Sequence, residues 1–243
     1  MRVKLIVLIL IIFTIAAIST IRISSKGKQE VIQELQKSQD RGTINWHVKA
    51  AKAKGEDQVF LSGPRVEYAD GVKDVDEALL HLGLVTAKPI EKKSYVRDTD
   101  EIVTWYRFKI VEKLSHNSLP KCEACGISEE EIPVDLLPLK RNEILVVKYG
   151  GTVNLEGVKV TMIDPQIPEF VMFQSYLLFL ATDSSGKIGQ IRMGPTGIFS
   201  VMSDGSIEPI TKKEHPLKKD IKTRYSDSLE QVKMSLRSRL LSQ

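Results

Sequence analysis

Cys122 and Cys125 are the only cysteines in a chain of 243 residues. Two residues separate them, a spacing that serves thiol–disulfide exchange, metal ligation, haem attachment or a short local bridge. Haem attachment needs a histidine directly after the second cysteine, and Gly126 stands there. Thioredoxin-like exchange needs the first cysteine at a helix N-terminus in a βαβ unit, where the dipole lowers the thiol pKa. Here Pro120 and Lys121 precede the pair and Glu129, Glu130 and Glu131 follow it, acids that would raise a thiol pKa. Zinc needs four ligands, and His116 brings the candidates only to three. A local disulfide shaping the loop 115–141 is the expected use, at about 2 kcal/mol of loop-entropy stabilisation. A redox pair, a metal pair and free thiols compete with it.

Other chemistry is thinly supplied. The chain lacks G-x-x-x-x-G-K-[ST], G-x-S-x-G and H-E-x-x-H. His47, His81, His116 and His215 are scattered, and no cofactor is expected. The clusters Asp74/Asp76/Glu77 and Asp98/Asp100/Glu101 lack calcium-loop spacing and read as caps and solvated turns. Trp105 and Arg107 sit on one side of a strand pattern and could form a surface binding strip. Core packing with a covered aromatic is the plainer use of the same residues.

The elements that must position these residues begin at an export signal. Arg2 and Lys4 precede an apolar run from Leu5 to Phe13, continued by Ile15–Ile18, the charged and hydrophobic regions of such a segment. Residues 1–22 are either a signal peptide cleaved near Ser19 or a single-pass anchor with its N-terminus inside, since Val3–Ile21 approaches the roughly 20 residues a bilayer requires. The rest is then extracytoplasmic, an oxidising location that suits a disulfide. Residues 1–28 carry five basic side chains and no acid, and 211–243 carry nine against four. With a formal net charge of +4 overall, the stretch 29–210 is net acidic. The basic character belongs to the ends, so a phosphate-binding face, and with it nucleic acid, is not expected.

Residues 23–73 read as a polar juxtamembrane helix over Ser25–Gly42, then an irregular segment with one or two short strands near Thr43–Val48 and Gln58–Leu61. Asp74 caps a short helix. Ile102, Thr104, Tyr106, Phe108 and Ile110 alternate with Val103, Trp105 and Arg107, a strand that pairs as a hairpin with Leu84–Ile90. Further strands follow at Glu143–Lys148, Gly157–Met162, Lys187–Met193, Ile198–Met202 and Ile207–Ile210. Ser175–Thr182 (SYLLFLAT) is apolar on both faces and should be buried on both. This density of short strands predicts a mainly β domain over 74–210, a small antiparallel barrel or sandwich, with an OB-like barrel as one form. A basic linker and an amphipathic helix close the chain over 211–243, with Tyr225, Leu229, Val232, Leu236 and Leu240 on one face.

Gly150-Gly151, SYLLFL, GPTGIF and Ser203-Asp204-Gly205, with TWYRF and the two cysteines upstream, resemble a pattern in exported bacterial β-domain proteins of unknown function. The resemblance covers about 74–210 and implies no activity. The expected function is a non-catalytic envelope or secreted domain that binds a protein or glycan, touching the membrane through the N-terminal segment if that is uncleaved. The alternative is an exported thiol-redox or metal-binding protein using Cys122 and Cys125.

Overall fold

The structure, a computed structural model, describes residues 41–68, 71–115, 118–122, 127 and 129–240. The export segment 1–22 and the juxtamembrane helix expected over 25–42 lie essentially outside the described residues. No described helix is long and apolar enough to cross a membrane. The strands are β1 (Gln58–Ser62), β2 (Gly83–Arg97), β3 (Glu101–Lys113), β4 (Glu143–Tyr149), β5 (Gly151–Leu155), β6 (Val158–Ile163), β7 (Ser175–Thr182), β8 (Ile188–Gln190), β9 (Ile198–Val201) and β10 (Ile207–Pro209). The helices are α1 (Ile44–Lys54), α2 (Val75–His81), α3 (Pro216–Tyr225) and α4 (Leu229–Leu240). The fold is mainly β, as the strand patterning predicts, in a three-stranded and a seven-stranded sheet.

Two compact units divide the chain. One takes in the described residues up to Leu61, Val96–Glu101 and Thr152–Thr161. It contains α1, which corrects the irregular reading of 43–54. Thr43 accepts a hydrogen bond from Trp46 N at 3.2 Å, an N-cap. Gly55 closes the helix at φ 77°, a left-handed conformation glycine reaches without a Cβ clash. Ile44, Val48 and Ala51 are buried along one helical face, a period of 3.6 that the short apolar alternation concealed. β1, the edge strand of the three-stranded order β1-β6-β5, lies where the second weak strand is expected.

The other unit comprises Ser62–Tyr95, Ile102–Gly151 and the chain from Met162 onward. Its seven-stranded sheet runs β10-β9-β7-β2-β3-β4-β8, and β7 also pairs with β8, closing β7-β2-β3-β4-β8 into a ring. One edge of β7 pairs with β2, Gly83 opposite Leu180 to Ala87 opposite Tyr176. Ser175–Leu178 pairs with β9, and Ala181 and Thr182 pair with β8. β4 and β8 run parallel, and the other recorded pairings of this sheet are antiparallel. β8 is shorter than the strand expected over 187–193.

Burial follows the alternation. Leu178 and Leu180 of β7, Tyr106 and Phe108 of β3, and Ile144 and Val146 of β4 share one core. An aromatic stack fills it: Phe170 meets Tyr106, Phe108 and Tyr176, each at 5.1 Å between centroids and near-perpendicular. Leu177, Phe179 and Ala181, on the other face of β7, enter a second core with α2, α3 and α4. Ser175–Thr182 is therefore buried on both faces, as its composition requires.

The C-terminal region departs from expectation over 216–224, a helix rather than a linker. His215 Nδ1 accepts from Leu217 N at 3.2 Å, and Pro216 occupies the first turn, where a missing N–H costs nothing. Leu217, Ile221 and Tyr225 are buried one turn apart. α4 then buries Leu229, Val232 and Leu236 in the same core, so these three positions of its apolar face are consumed internally.

Candidate functional site

The cysteine segment is fastened to the end of β7. Cys122 N donates to Thr182 O at 2.7 Å and Thr182 N to Pro120 O at 2.8 Å, a parallel bridge centred on Lys121. Cys122 is 8% exposed and packs into the core beneath α3 and α4. Its sulfur accepts a contact from Arg192 Nη1 at 2.7 Å. A guanidinium in that place opposes the approach of a metal cation. The following acids act less than their spacing implies: they are exposed, and Glu129 is ion-paired with Lys187. There is no free cysteine among the described residues. His116 and Cys125 lie outside them, so neither the pair nor the three-ligand metal set is assembled among the described residues. No group of three metal-ligating side chains occurs among the described residues.

The Trp105/Arg107 strip is not a surface, a correction to that candidate. Trp105 is 3% exposed and packs with Val103, Leu145 and Ile188 under Ile132 and Leu136 of the cysteine loop. Arg107 Nη2 donates to Leu136 O at 2.7 Å, and its Nε lies 3.4 Å from Glu91. Asp135 accepts from Tyr95 and Lys93, each at 2.7 Å, and holds the same segment down from the other side. The outer face of β3 and β4 is thus closed by the chain's own loop.

An open site lies elsewhere in the unit. Arg65–Tyr68 forms one wall of a groove of about 720 Å³, bounded also by Pro165 and Gln166, Pro195 and Thr196, and Thr211 and Lys213. Four chain segments meet there, and one buried acid shapes the segment that carries Gln166. Asp164 Oδ1 accepts from Gln166 N at 2.8 Å and Ile167 N at 3.0 Å, turning the chain after β6. The Gln166 side chain then grips Val66 at both ends: Val66 N donates to Oε1 at 2.7 Å, and Val66 O accepts from Nε2 at 2.9 Å. Asp164 Oδ2 faces Lys148 Nζ at 3.8 Å, with both side chains almost wholly buried. Burial lowers the Lys148 pKa below the ordinary lysine value, and Asp164 offsets part of that.

Tyr68 ends the wall. Burial first, then Asp164 and Tyr149, pushes its phenol well above the ordinary range, so it remains a neutral hydrogen-bonding group. Gly194 seats the ring: it holds φ +55°, and a Cβ there would overlap the tyrosine ring atoms. Thr196 Oγ1 donates to Met193 O at 2.6 Å and fixes the GPTG turn behind it. Arg65 and Glu67 are exposed and bond to no described residue. Among the described residues, no activated nucleophile or acid–base pair opens onto the groove. A cation, an anion, an amide and a phenol line it, which is the chemistry of polar recognition.

Residue spacing does not reveal this site. Arg65–Tyr68 lies in a stretch read as irregular, and the only signal nearby is the GPTGIF motif, whose glycine receives Tyr68. Compared with protein-family models, characterised proteins and solved structures, the chain matches none of them.

Proposed function

We propose that the chain is an exported, non-catalytic β domain that binds a polar partner, a protein segment or a glycan, in the groove walled by Arg65–Tyr68. The observation that carries this reading is the pair Arg65 and Glu67. Both are charged and exposed, held on an ordered wall beside Tyr68 and Gln166, and bonded to no described residue. Export rests on the charged and apolar N-terminal run, with the domain anchored or released after cleavage near Ser19. The strand ring β7-β2-β3-β4-β8 with β4 and β8 parallel supports an OB-like barrel. Fold alone assigns no ligand. The strand faces such barrels use for oligomers correspond here to β3 and β4, and they are covered. This disfavours nucleic acid and turns attention to the groove.

The test uses the full chain in detergent micelles, screened against a display library of random heptapeptides and an array of neutral and uronic-acid oligosaccharides. Binders that weaken at least tenfold on Arg65→Glu are expected. Binders indifferent to Arg65→Glu, or none in either library, overturn the reading.

A second reading, thiol redox chemistry, is favoured by the Arg192 contact at the Cys122 sulfur. Under the first reading Cys122 and Cys125 form a local structural disulfide. Titration of the reduced protein separates them: a thiol pKa near or below neutrality supports redox work, and one at or above about 8.5 supports a structural bridge.

A further inference from the structure

The way Gln166 holds Val66 determines what the other side of that segment can do. A residue whose N–H and C=O are both taken by one planar amide has them on one edge, the arrangement of an extended strand facing a neighbour. In extended backbone the groups of the flanking residues point to the opposite edge. For Val66 these are the N–H and C=O of Arg65 and Glu67, and no described residue hydrogen-bonds to either main chain. The segment therefore presents one edge closed by Gln166 and one edge open, on the wall of the groove.

We infer that the groove accepts an extended peptide that adds itself as a strand to Arg65–Glu67, with an acidic peptide side chain beside Arg65. This rests on the binding reading of the groove and names its ligand class. Strand addition takes its affinity from main-chain hydrogen bonds and its selectivity from alternate side chains. Both are available here: the open N–H and C=O groups supply the ladder, and Arg65 supplies charge selection. An unpaired edge also invites self-association, and charged side chains along it are the usual protection. Arg65 and Glu67 meet that need, leaving the edge to a partner of complementary charge. A glycan fits less well. One face of the Tyr68 ring is taken by Gly194, and sugar hydroxyls do not match an alternating row of donors and acceptors.

The deciding variant is Glu67→Pro in the full chain. Its N–H has no described partner, so proline removes a donor that only a ligand would use, and it holds Val66 in the extended region it already needs. Heptapeptides selected from the library are expected to carry an acidic residue and to weaken at least tenfold on Glu67→Pro, and less than threefold on Glu67→Ala. N-methylation of alternate peptide amides should abolish binding in one register and spare it in the other, a readout that does not require the proline variant to fold. Peptides lost on Arg65→Glu but indifferent to both Glu67→Pro and N-methylation would overturn strand addition while leaving the groove as a site. Oligosaccharides as the sole Arg65-dependent binders would do the same. Absence of any Arg65-dependent binder would overturn both.

Discussion

Two surfaces of the larger unit face opposite fates. On the outer face of β3 and β4, Trp105 is packed under Ile132 and Leu136, and Arg107 is tied to a loop carbonyl and two acids. On the wall at Arg65–Glu67 the main-chain edge and both charges meet no described residue. The first surface has the aromatic and arginine that sequence reading associates with binding, and it is structural. The second lies in an unremarkable stretch and has free valences. Side-chain type alone does not identify a binding surface; satisfied or unsatisfied polar groups distinguish the two.

Substitutions on either surface test that contrast. Trp105→Ala should cost about 3–5 kcal/mol in urea unfolding, the range for truncating a buried aromatic; a loss below about 1 kcal/mol would mean the face is open after all. The acid that shapes the Gln166 segment comes next. Asp164→Ala leaves Lys148 buried without a partner and should cost about 3–5 kcal/mol, and Lys148→Met, which leaves the buried Asp164 carboxylate uncompensated, should cost a similar amount. The Lys148 pKa is lowered in the fold, so stability should rise with pH from that folded value towards the ordinary lysine range. Lys148→Met should flatten this rise.

A smaller effect is expected at Asp183, which supports the covered face through Ile188. Burial raises its pKa, but hydrogen bonds from Ser185, Ile188 and Lys187 outweigh it, and the folded value lies below the ordinary carboxylate range. Its contribution is complete above the unfolded value and is lost as pH falls through the folded one. Asp183→Ala should cost about 2 kcal/mol at neutral pH and weaken the acid limb of a stability–pH curve. The smallest changes belong to the open edge. Arg65→Ala and Glu67→Ala should each stay within about 0.5 kcal/mol of the parent stability. A larger loss at either would show that the wall is a structural support.

Legibility followed the range of the interactions. β3 and β7 were readable because their alternation and continuous apolar runs are local signals, and both faces of β7 are buried accordingly. α1 and α3 were missed although each carries a cap. In α1 the apolar face is only Ile44, Val48 and Ala51, and in α3 four basic residues and Pro216 resemble a linker. Leu217, Ile221 and Tyr225 were the available clue. The cover on Trp105 depends on Ile132 and Leu136, two apolar residues in a largely polar loop. The groove joins segments near positions 66, 166, 195 and 212, and no spacing rule connects residues that only a folded ring brings together.

The double duty of β7 bears on how the molecule can be made. One strand joins β2 on one side and both β8 and β9 on the other, so the ring has no closed substructure that excludes it. A chain delivered N-terminus first holds β2, β3 and β4 as an open three-stranded curl until Ser175–Thr182 arrives. The second core stays uncovered until α3 and α4 follow. Closure is a long-range event whose loop entropy must be met before its contacts form, which places folding at the slow, millisecond-to-second end of the scale. Truncation at any point before α4 should yield an adhesive intermediate rather than a smaller working domain.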